Sequence, residues 1–249
     1  MTARNFIEIS HVSASYDGVK ALDDVSLNIK DGDFIGVIGP NGGGKTTLLK
    51  LILGLKKPDK GSINISEGLN IGYLPQQSDI DRMFPITVRE VIYSGLMKFT
   101  DKSEKHLINK YRSRFDELTQ KMNIDSIVEK TPGQISGGQF QKTLLCRSLI
   151  SKPDLLLLDE PNTYIDKESE FELFQYLSKE SDVKAIMLVS HDIGTISQYV
   201  KSFACVNKGL YHHESNAITE ELLSQYRCPI QIIAHGDVPH TVLKHHNNV

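Results

Sequence analysis

The feature that most constrains this chain is a glycine-rich stretch near residue 40. Its residues are Gly39, Pro40, Asn41, Gly42, Gly43, Gly44, Lys45, Thr46 and Thr47, and they contain the pattern G-x-x-x-x-G-K-[ST]. The apolar segment 34–38 precedes them and predicts a buried strand. Segment 48–53 has helical spacing, and Gly54 stands where a glycine commonly ends a helix. The pattern requires this order of strand, loop and helix.

This context predicts a cradle for phosphate groups. Glycines allow consecutive backbone N–H groups to point inward, and the positive end of the following helix dipole adds to their attraction for an anion. In such a loop Lys45 reaches the β- and γ-phosphates of a nucleotide, and the Thr46 hydroxyl is a ligand for Mg²⁺. The alternative is a glycine-rich turn without a ligand, and the flanking strand and helix argue against it.

Composition limits the classes of protein to which the chain could belong. Its 249 residues, 39% of them hydrophobic, can build one large or two small cores, and a net charge of −3 gives no overall attraction for nucleic acid. The widely spaced Cys146, Cys205 and Cys228 favour a reducing compartment over a disulfide framework. We expect no signal peptide and no membrane span, which would need about 20 apolar residues, so any membrane role would pass through a partner.

Hydrophobic periodicity predicts strands, then helices, then strands again. Strand patterns occupy 6–9, 25–29, 34–38, 62–65 and 71–74, and they return at 155–158, 185–189 and 203–206. Between them, a capping box at 87–90 begins a helix to about Lys98, residues 103–122 form a long charged helix, and a third helix begins at Ser136. The later strands are almost wholly apolar, as parallel strands covered on both faces tend to be.

An acidic pair follows the strand pattern at 155–158. An apolar strand that ends in acids such as Asp159 and Glu160, in a chain with a phosphate-binding loop, is typical of the Walker B arrangement. We expect Asp159 to hold Mg²⁺, directly or through water, and Glu160 to polarise the water that attacks the γ-phosphate. The alternative is two surface acids at a strand end, which the presence of the loop disfavours.

A further stretch identifies a family. Residues Ile135, Ser136, Gly137, Gly138 and Gln139 resemble the LSGGQ signature of ABC-type ATPases, with isoleucine in place of the usual leucine. Ser136 is a natural N-cap, and the two glycines expose the first N–H groups of the helix. In the family this motif faces the γ-phosphate held by the other subunit. The resemblance therefore implies a homodimer that binds ATP between two chains.

The resemblance covers nearly the whole chain and assigns further residues. Tyr16 matches the aromatic residue that stacks on adenine, and Gln76 matches the glutamine that senses Mg²⁺ and the attacking water. His191 matches the switch histidine at the γ-phosphate, and Asp166 matches the aspartate that couples the two ATP sites. A place in the core is the alternative for Tyr16 and His191. The implied catalytic residues are Glu160, His191, Gln76 and Lys45, the implied ATP-binding residues are Tyr16 and 39–47, and the implied Mg²⁺ ligands are Thr46, Gln76 and Asp159.

The resemblance also implies the architecture of the chain. It predicts one α/β ATPase domain with a P-loop NTPase (RecA-like) core, an N-terminal antiparallel β subdomain and an inserted α-helical subdomain. The core and β subdomain are expected at 1–85 and 151–235, the helical subdomain at 86–150, and a C-terminal tail at 236–249. Gly43, Phe140, Lys142 and the stretch 162–165 before Asp166 depart from the residues usual in the family, but none of these changes removes a group that the chemistry needs.

The C-terminal third resembles one group within the family. Six of the nine histidines lie after residue 210, and the stretches 204–210, 226–230 and 235–240 look like those of zinc, manganese and iron importer ATPases, as does 88–96. A separate ATP-binding subunit of this kind implies integral membrane permease subunits, an extracytoplasmic solute-binding protein in the same system, and a place at the cytoplasmic face of the cell membrane.

Other interpretations stay open. An ABC ATPase for a siderophore, haem or another solute would carry the same motifs. A soluble ABC ATPase acting on nucleic acid is disfavoured by the single domain and the absence of a basic patch, and a non-hydrolysing module is disfavoured by the presence of both Glu160 and His191. The C-terminal histidines form either a regulatory zinc site or a polar tail, and no clear ligand spacing supports the metal.

Overall fold

The chain folds into two compact units, each with its own strands and helices. A computed structural model describes residues 4–76, 80–99, 104–161, 166–180, 182–216, 230–234 and 239–243. The first unit consists of residues 1–67 and 185–249, and the second consists of residues 68–184. The domain boundaries expected at 86, 151 and 236 stay predictions.

The first unit begins with the expected antiparallel sheet, whose strands are β1 (Asn5–Tyr16), β2 (Val19–Lys30) and β4 (Lys60–Ile65). They lie in the order β2-β1-β4. Both β1 and β2 are 12 residues long, well beyond the short patterns seen in the sequence. Register shifts interrupt the pairing of β1 with β2, for example beside His11 (φ 51°), and they break the period-two alternation on which strand prediction depends.

The second sheet of this unit contains the strand that precedes the phosphate-binding loop. That strand, β3 (Phe34–Ile38), pairs in parallel with β7 (Ala185–Val189) and with β8 (Ser202–Asn207). All five residues of β3 and of β7 are buried, as expected for parallel strands covered on both faces. The carboxyl ends of the three strands lie at one edge of the sheet, where the loop begins.

Helix α1 (Lys45–Ile52) follows the loop, as predicted, and buries Leu48, Leu49 and Ile52. Each fully buried side chain of this size contributes about 1.5–3 kcal/mol to the stability of the fold. Strand β9 (Gly209–His213) pairs antiparallel with β8 and was not expected from the sequence. Its residues are only partly buried or exposed, so it lacks the apolar pattern of a core strand.

The described residues of the second unit form two strands and four α-helices. Strands β5 (Ile71–Leu74) and β6 (Leu155–Asp159) were both expected from the sequence, and the structure shows that they are parallel neighbours. The helices are α2 (Val88–Tyr93), α3 (Glu104–Lys121), α4 (Gly137–Leu149) and α5 (Lys167–Gln175). The rings of Tyr93 and Phe115 stack with their centroids 4.9 Å apart and join α2 to α3. Helix α5 was not predicted.

The capping boxes predicted from the sequence are confirmed, but the predicted end of one helix is wrong. Thr87 and Glu90 form a reciprocal capping box at the start of α2, a feature worth about 1 kcal/mol. The α-helix ends at Tyr93 rather than near Lys98, and Ser94–Phe99 continues as a 3₁₀-helix. The Ser94 hydroxyl donates to the Val91 carbonyl and competes with the helical backbone at this point.

The described C-terminal residues form a hairpin of two strands, β10 (Ile230–Ala234) and β11 (Pro239–Leu243). Strand β11 contacts the short helix α6 (Ile193–Ile196) in the same unit. His235, His245, His246 and residues 226–229 lie outside the described residues, as does the segment 162–165. Among the helices that the structure describes, none is long and apolar enough to cross a membrane.

A buried thiol provides a test of the packing between α3 and α4. The Cys146 Sγ donates to the Leu118 carbonyl at 3.7 Å, and burial raises the pKa of this thiol to about 12. Because the thiolate is the reactive form, iodoacetamide at about pH 8 is expected to leave Cys146 unmodified in the folded protein. The same protein in urea is the control, and mass spectrometry should find Cys146 labelled there. Equal labelling rates in both states would contradict this packing.

Candidate functional site

The phosphate-binding loop makes close approaches that only glycine allows, two of them at glycines with positive φ. Gly39 has φ 147°, and a Cβ there would stand 2.0 Å from the Val206 carbonyl oxygen. Gly44 has φ 105°, and a Cβ there would stand 2.5 Å from the Ala21 carbonyl oxygen. The loop is therefore packed against strand β8 on one side and β2 on the other, and its backbone path is fixed by these contacts.

Lys45 lies inside the loop. Its Nζ donates to the carbonyl oxygens of Gly39 and Pro40, at 3.0 Å in each case, and the residue is only 7% exposed. Helix α1, which the structure describes in full, has no acidic residue in its first turn. The positive end of its dipole and the Lys45 ammonium thus act together at the loop, and a charge-assisted contact with phosphate is the chemistry that this arrangement favours.

The turn between β8 and β9 supports the loop from behind. Lys208, at the turn, donates its N–H to the Gly43 carbonyl at 2.9 Å and accepts from the Asp23 N–H at 2.7 Å. A Cβ on Gly43 would stand 2.7 Å from the Val206 carbonyl oxygen, which explains why glycine replaces the larger residue often found in the family. The sequence analysis did not predict this support, since Asn207 and Gly209 indicate only a turn and not the contact that the turn makes.

His191 follows β7 at the edge of the sheet where the loop begins. The register of β3 and β7 pairs Val37 with Val189, and the Ser190 N–H donates to the Val37 carbonyl at 3.2 Å. Ser190 is buried, whereas His191 is exposed, so the alternative of a core histidine does not apply. Asp192 then caps α6 by accepting from the Thr195 N–H.

Tyr16 stands at the end of β1 and is 44% exposed. The Lys56 Nζ lies 4.4 Å from the centroid of this ring and donates to the Ser15 carbonyl at 2.7 Å. A cation over the ring is an attractive contact that holds the ring in place. Lys56 follows α1 and lies far from Tyr16 in the sequence, so no local pattern indicated the contact.

In the second unit, the parallel pairing of β5 and β6 brings two of the expected catalytic residues together. The Gln76 Nε2 donates to a carboxylate oxygen of Glu160 at 2.9 Å. Asp159, the last residue of β6, is 1% exposed. Glu160 has φ 52°, in the left-handed region, which costs a residue with a Cβ roughly 1–2 kcal/mol. This left-handed conformation turns the chain after β6, and the surrounding structure must offset its cost.

The signature stretch forms the beginning of α4. The Ser136 Oγ accepts from the Gln139 N–H at 3.2 Å, and the Gln139 Oε1 accepts from the Ser136 N–H at 3.0 Å. This reciprocal capping box confirms Ser136 as the N-cap. Ser136 is exposed, so the beginning of the helix and its positive dipole end are accessible to an anion from outside the chain.

Asp166 has a local role that the sequence did not indicate. It is the N-cap of α5, where Oδ1 accepts from the Ser169 N–H at 2.9 Å and Oδ2 accepts from the Ser169 hydroxyl at 3.0 Å. These hydrogen bonds, the one from the Ser169 backbone first, lower the pKa of the Asp166 carboxyl. The carboxylate is exposed and ionised at neutral pH, and its expected role between two ATP sites stays a prediction.

The donor groups expected for Mg²⁺ are chemically suitable. A hydroxyl on Thr46, a carboxylate on Asp159 and an amide oxygen on Gln76 are the hard oxygen ligands that this ion prefers.

A separate zinc site gains no support from the described residues. Within the described ranges, no group of three His, Cys, Asp or Glu side chains could hold a metal ion. His212 hydrogen-bonds the Ser202 hydroxyl at 3.0 Å, and burial lowers the pKa of its ring. The zinc site considered for the C-terminal histidines gains no support there.

Comparison with known proteins identifies a family. The sequence profile described as ABC transporter matches residues 22–163. The zinc uptake system ATP-binding protein ZurA of Listeria monocytogenes is 35% identical over 216 residues, which cover 82% of this chain and 84% of that protein.

Solved structures share the fold. A structure described as a metal-chelate type ABC transporter in an inward-facing conformation has a TM-score of 0.78 at 22% identity and covers 97% of this chain and 98% of its own. The dimeric ATP-binding cassette MJ0796, bound to ADP and Pi, has a TM-score of 0.72 at 25% identity and covers 86% of this chain and 100% of its own. Since the profile spans more than half of the chain and the relative matches over four-fifths of it, the chain belongs to the ABC transporter family.

Proposed function

We propose that this chain is the ATP-hydrolysing subunit of an ABC importer for a divalent transition metal, with zinc as the first candidate. The observation that carries the proposal is the 35% identity with a zinc uptake ATP-binding protein over 82% of the chain. The buried Lys45 in its loop and the contact of Gln76 with Glu160 supply groups suited to ATP hydrolysis.

The working assembly that we propose is a homodimer with two ATP molecules between the chains. A related cassette forms a dimer with ADP and Pi, which supports this assembly. The exposed N-cap at Ser136 is suited to receive the γ-phosphate held by the other copy. Two membrane permease subunits, an extracytoplasmic solute-binding protein and a position at the cytoplasmic face of the membrane complete the proposed system.

ATP binding would begin at the loop. The Lys45 ammonium would exchange its two carbonyl acceptors for β- and γ-phosphate oxygens, and the first N–H groups of α1 would contact the same phosphates. Adenine would stack on the face of the Tyr16 ring opposite Lys56. Thr46, Asp159 and Gln76 would hold Mg²⁺, which neutralises charge that develops on the phosphates.

Hydrolysis would depend on Glu160. A carboxylate placed beside the γ-phosphate can accept a proton from the attacking water, and the hydrogen bond from Gln76 orients it. His191 would contact the γ-phosphate and Ser136 would reach it from the other copy. Each of these groups positions charge or a proton around the same phosphoryl group, which is where most of the catalysis of phosphoryl transfer arises.

Replacing Glu160 with Gln is expected to separate binding from turnover. Gln keeps the shape and loses the basic carboxylate, so nucleotide affinity should persist while steady-state hydrolysis falls by at least about a hundredfold. Glu168→Gln, which neutralises an exposed acid on α5, is the matched control and should hydrolyse ATP normally. Phosphate release and nucleotide titration measure the two effects. Normal turnover by Glu160→Gln would remove this residue from the role of base.

The metal assignment is tested in cells that lack this chain. Under chelation they are expected to take up radiolabelled zinc, or else manganese or iron, more slowly than the wild type, because their high-affinity route has no motor. Returning the chain should restore uptake, and returning the Lys45→Ala variant should not. If the deletion strain takes up all three metals at wild-type rates during starvation, the metal assignment fails. The assignment as an ATPase would stand, since purified protein tests that separately.

A further inference from the structure

The turn after Glu160 is held by side chains from two directions. Glu160 lies in the left-handed region with φ 52°, and such a conformation persists only where the surrounding structure fixes it. Gln76 donates to the Glu160 carboxylate from the β5 side at 2.9 Å. From α4, the Gln141 Nε2 donates to the carbonyl of the next residue, Pro161, also at 2.9 Å.

Gln141 uses its amide for this one contact. The residue is 2% exposed, and its Oε1 accepts no hydrogen bond from any residue that the structure describes. The side chain also borders a cavity of about 320 Å³ beside α5. A buried amide with an unused acceptor lowers stability relative to an apolar side chain of the same shape. Stability alone would therefore favour Met or Leu at position 141. The feature that such an apolar residue would lose is the hydrogen bond to Pro161.

We propose that Gln141 is a positioning residue for hydrolysis, which fixes the turn that aims the Glu160 carboxylate. The inference rests on the proposed role of Glu160 as the base. Gln141 belongs to α4, the helix whose beginning carries Ser136 and Gln139. A helix moves as a rigid rod over so short a distance, so the bond ties the signature stretch to the turn of the catalytic carboxylate. The bond is buried, which strengthens it relative to the same bond in water.

The test uses Gln141→Met, which keeps length and burial and removes the amide. We expect kcat to fall about tenfold or more while KM for ATP stays within about twofold, because Gln141 acts on the base and not on phosphate. Counting bound nucleotide gives kcat per folded site, so an unfolded fraction does not enter the value. Ser148→Ala is the matched control, since it removes another buried hydrogen bond of α4, to the Leu145 carbonyl, and should leave kcat unchanged.

A double-mutant cycle then separates a positioning role from a structural one. If Gln141 acts through Glu160, Gln141→Met should cause no further loss of the residual turnover in the Glu160→Gln background. Unchanged kcat in Gln141→Met, an equal loss in Ser148→Ala, or a full additional loss in the double variant would each overturn the inference. Normal turnover by Glu160→Gln alone would instead contradict the proposed function, so the two failures are distinguishable.

Discussion

The backbone contact between the phosphate-binding loop and strand β8 is the constraint on which the first unit depends. Gly39 and Gly43 both approach the Val206 carbonyl too closely for a Cβ, and Lys208 at the following turn donates to the Gly43 carbonyl. The loop can turn its own N–H groups toward a phosphate because its outer side is already fixed by the sheet. Lys45 then lies inside the loop, on the carbonyls of Gly39 and Pro40. The backbone of the proposed phosphate site is thus held largely by these contacts with the sheet.

In the second unit, the corresponding constraint is the strained turn after β6. A left-handed φ at Glu160 is unfavourable, and the hydrogen bonds from Gln76 and Gln141 hold the turn from β5 and from α4. The sequence explains each supporting element separately, since β5 and β6 are short apolar strands and α4 begins at a capping box. Their meeting places a carboxylate where one helix and two strands control its orientation. We infer that the catalytic step is sensitive to these supports in a way that nucleotide binding is not.

The sequence predicted best what is encoded in local pattern. Strand, loop and helix around Lys45, the capping boxes at Thr87 and Ser136, and the apolar strand before Asp159 all depend on neighbours in the chain, and the structure confirms these elements. The fold class followed from the family resemblance. What was missed depends on distant contacts or weak patterns. Lys56 meets Tyr16 and Gln141 meets Pro161 across the fold, β9 lacks an apolar pattern, and bulges conceal the length of β1. The roles of the site residues remain predictions from motif and chemistry.

The central claim is that two copies of this chain share each ATP, and a mixing experiment tests it most directly. Lys45→Ala should lose tight nucleotide binding, and Ser136→Arg should bind nucleotide but block the site that it offers to the other copy. Neither variant alone is expected to hydrolyse ATP. In a heterodimer, however, both defects fall in one of the two sites and the other site is intact. The account predicts that hydrolysis appears when the two variants are mixed. If the sites work independently, up to about half of the heterodimer's sites should be active. Mixed variants that remain as inactive as each alone, although heterodimers are detected, would contradict it.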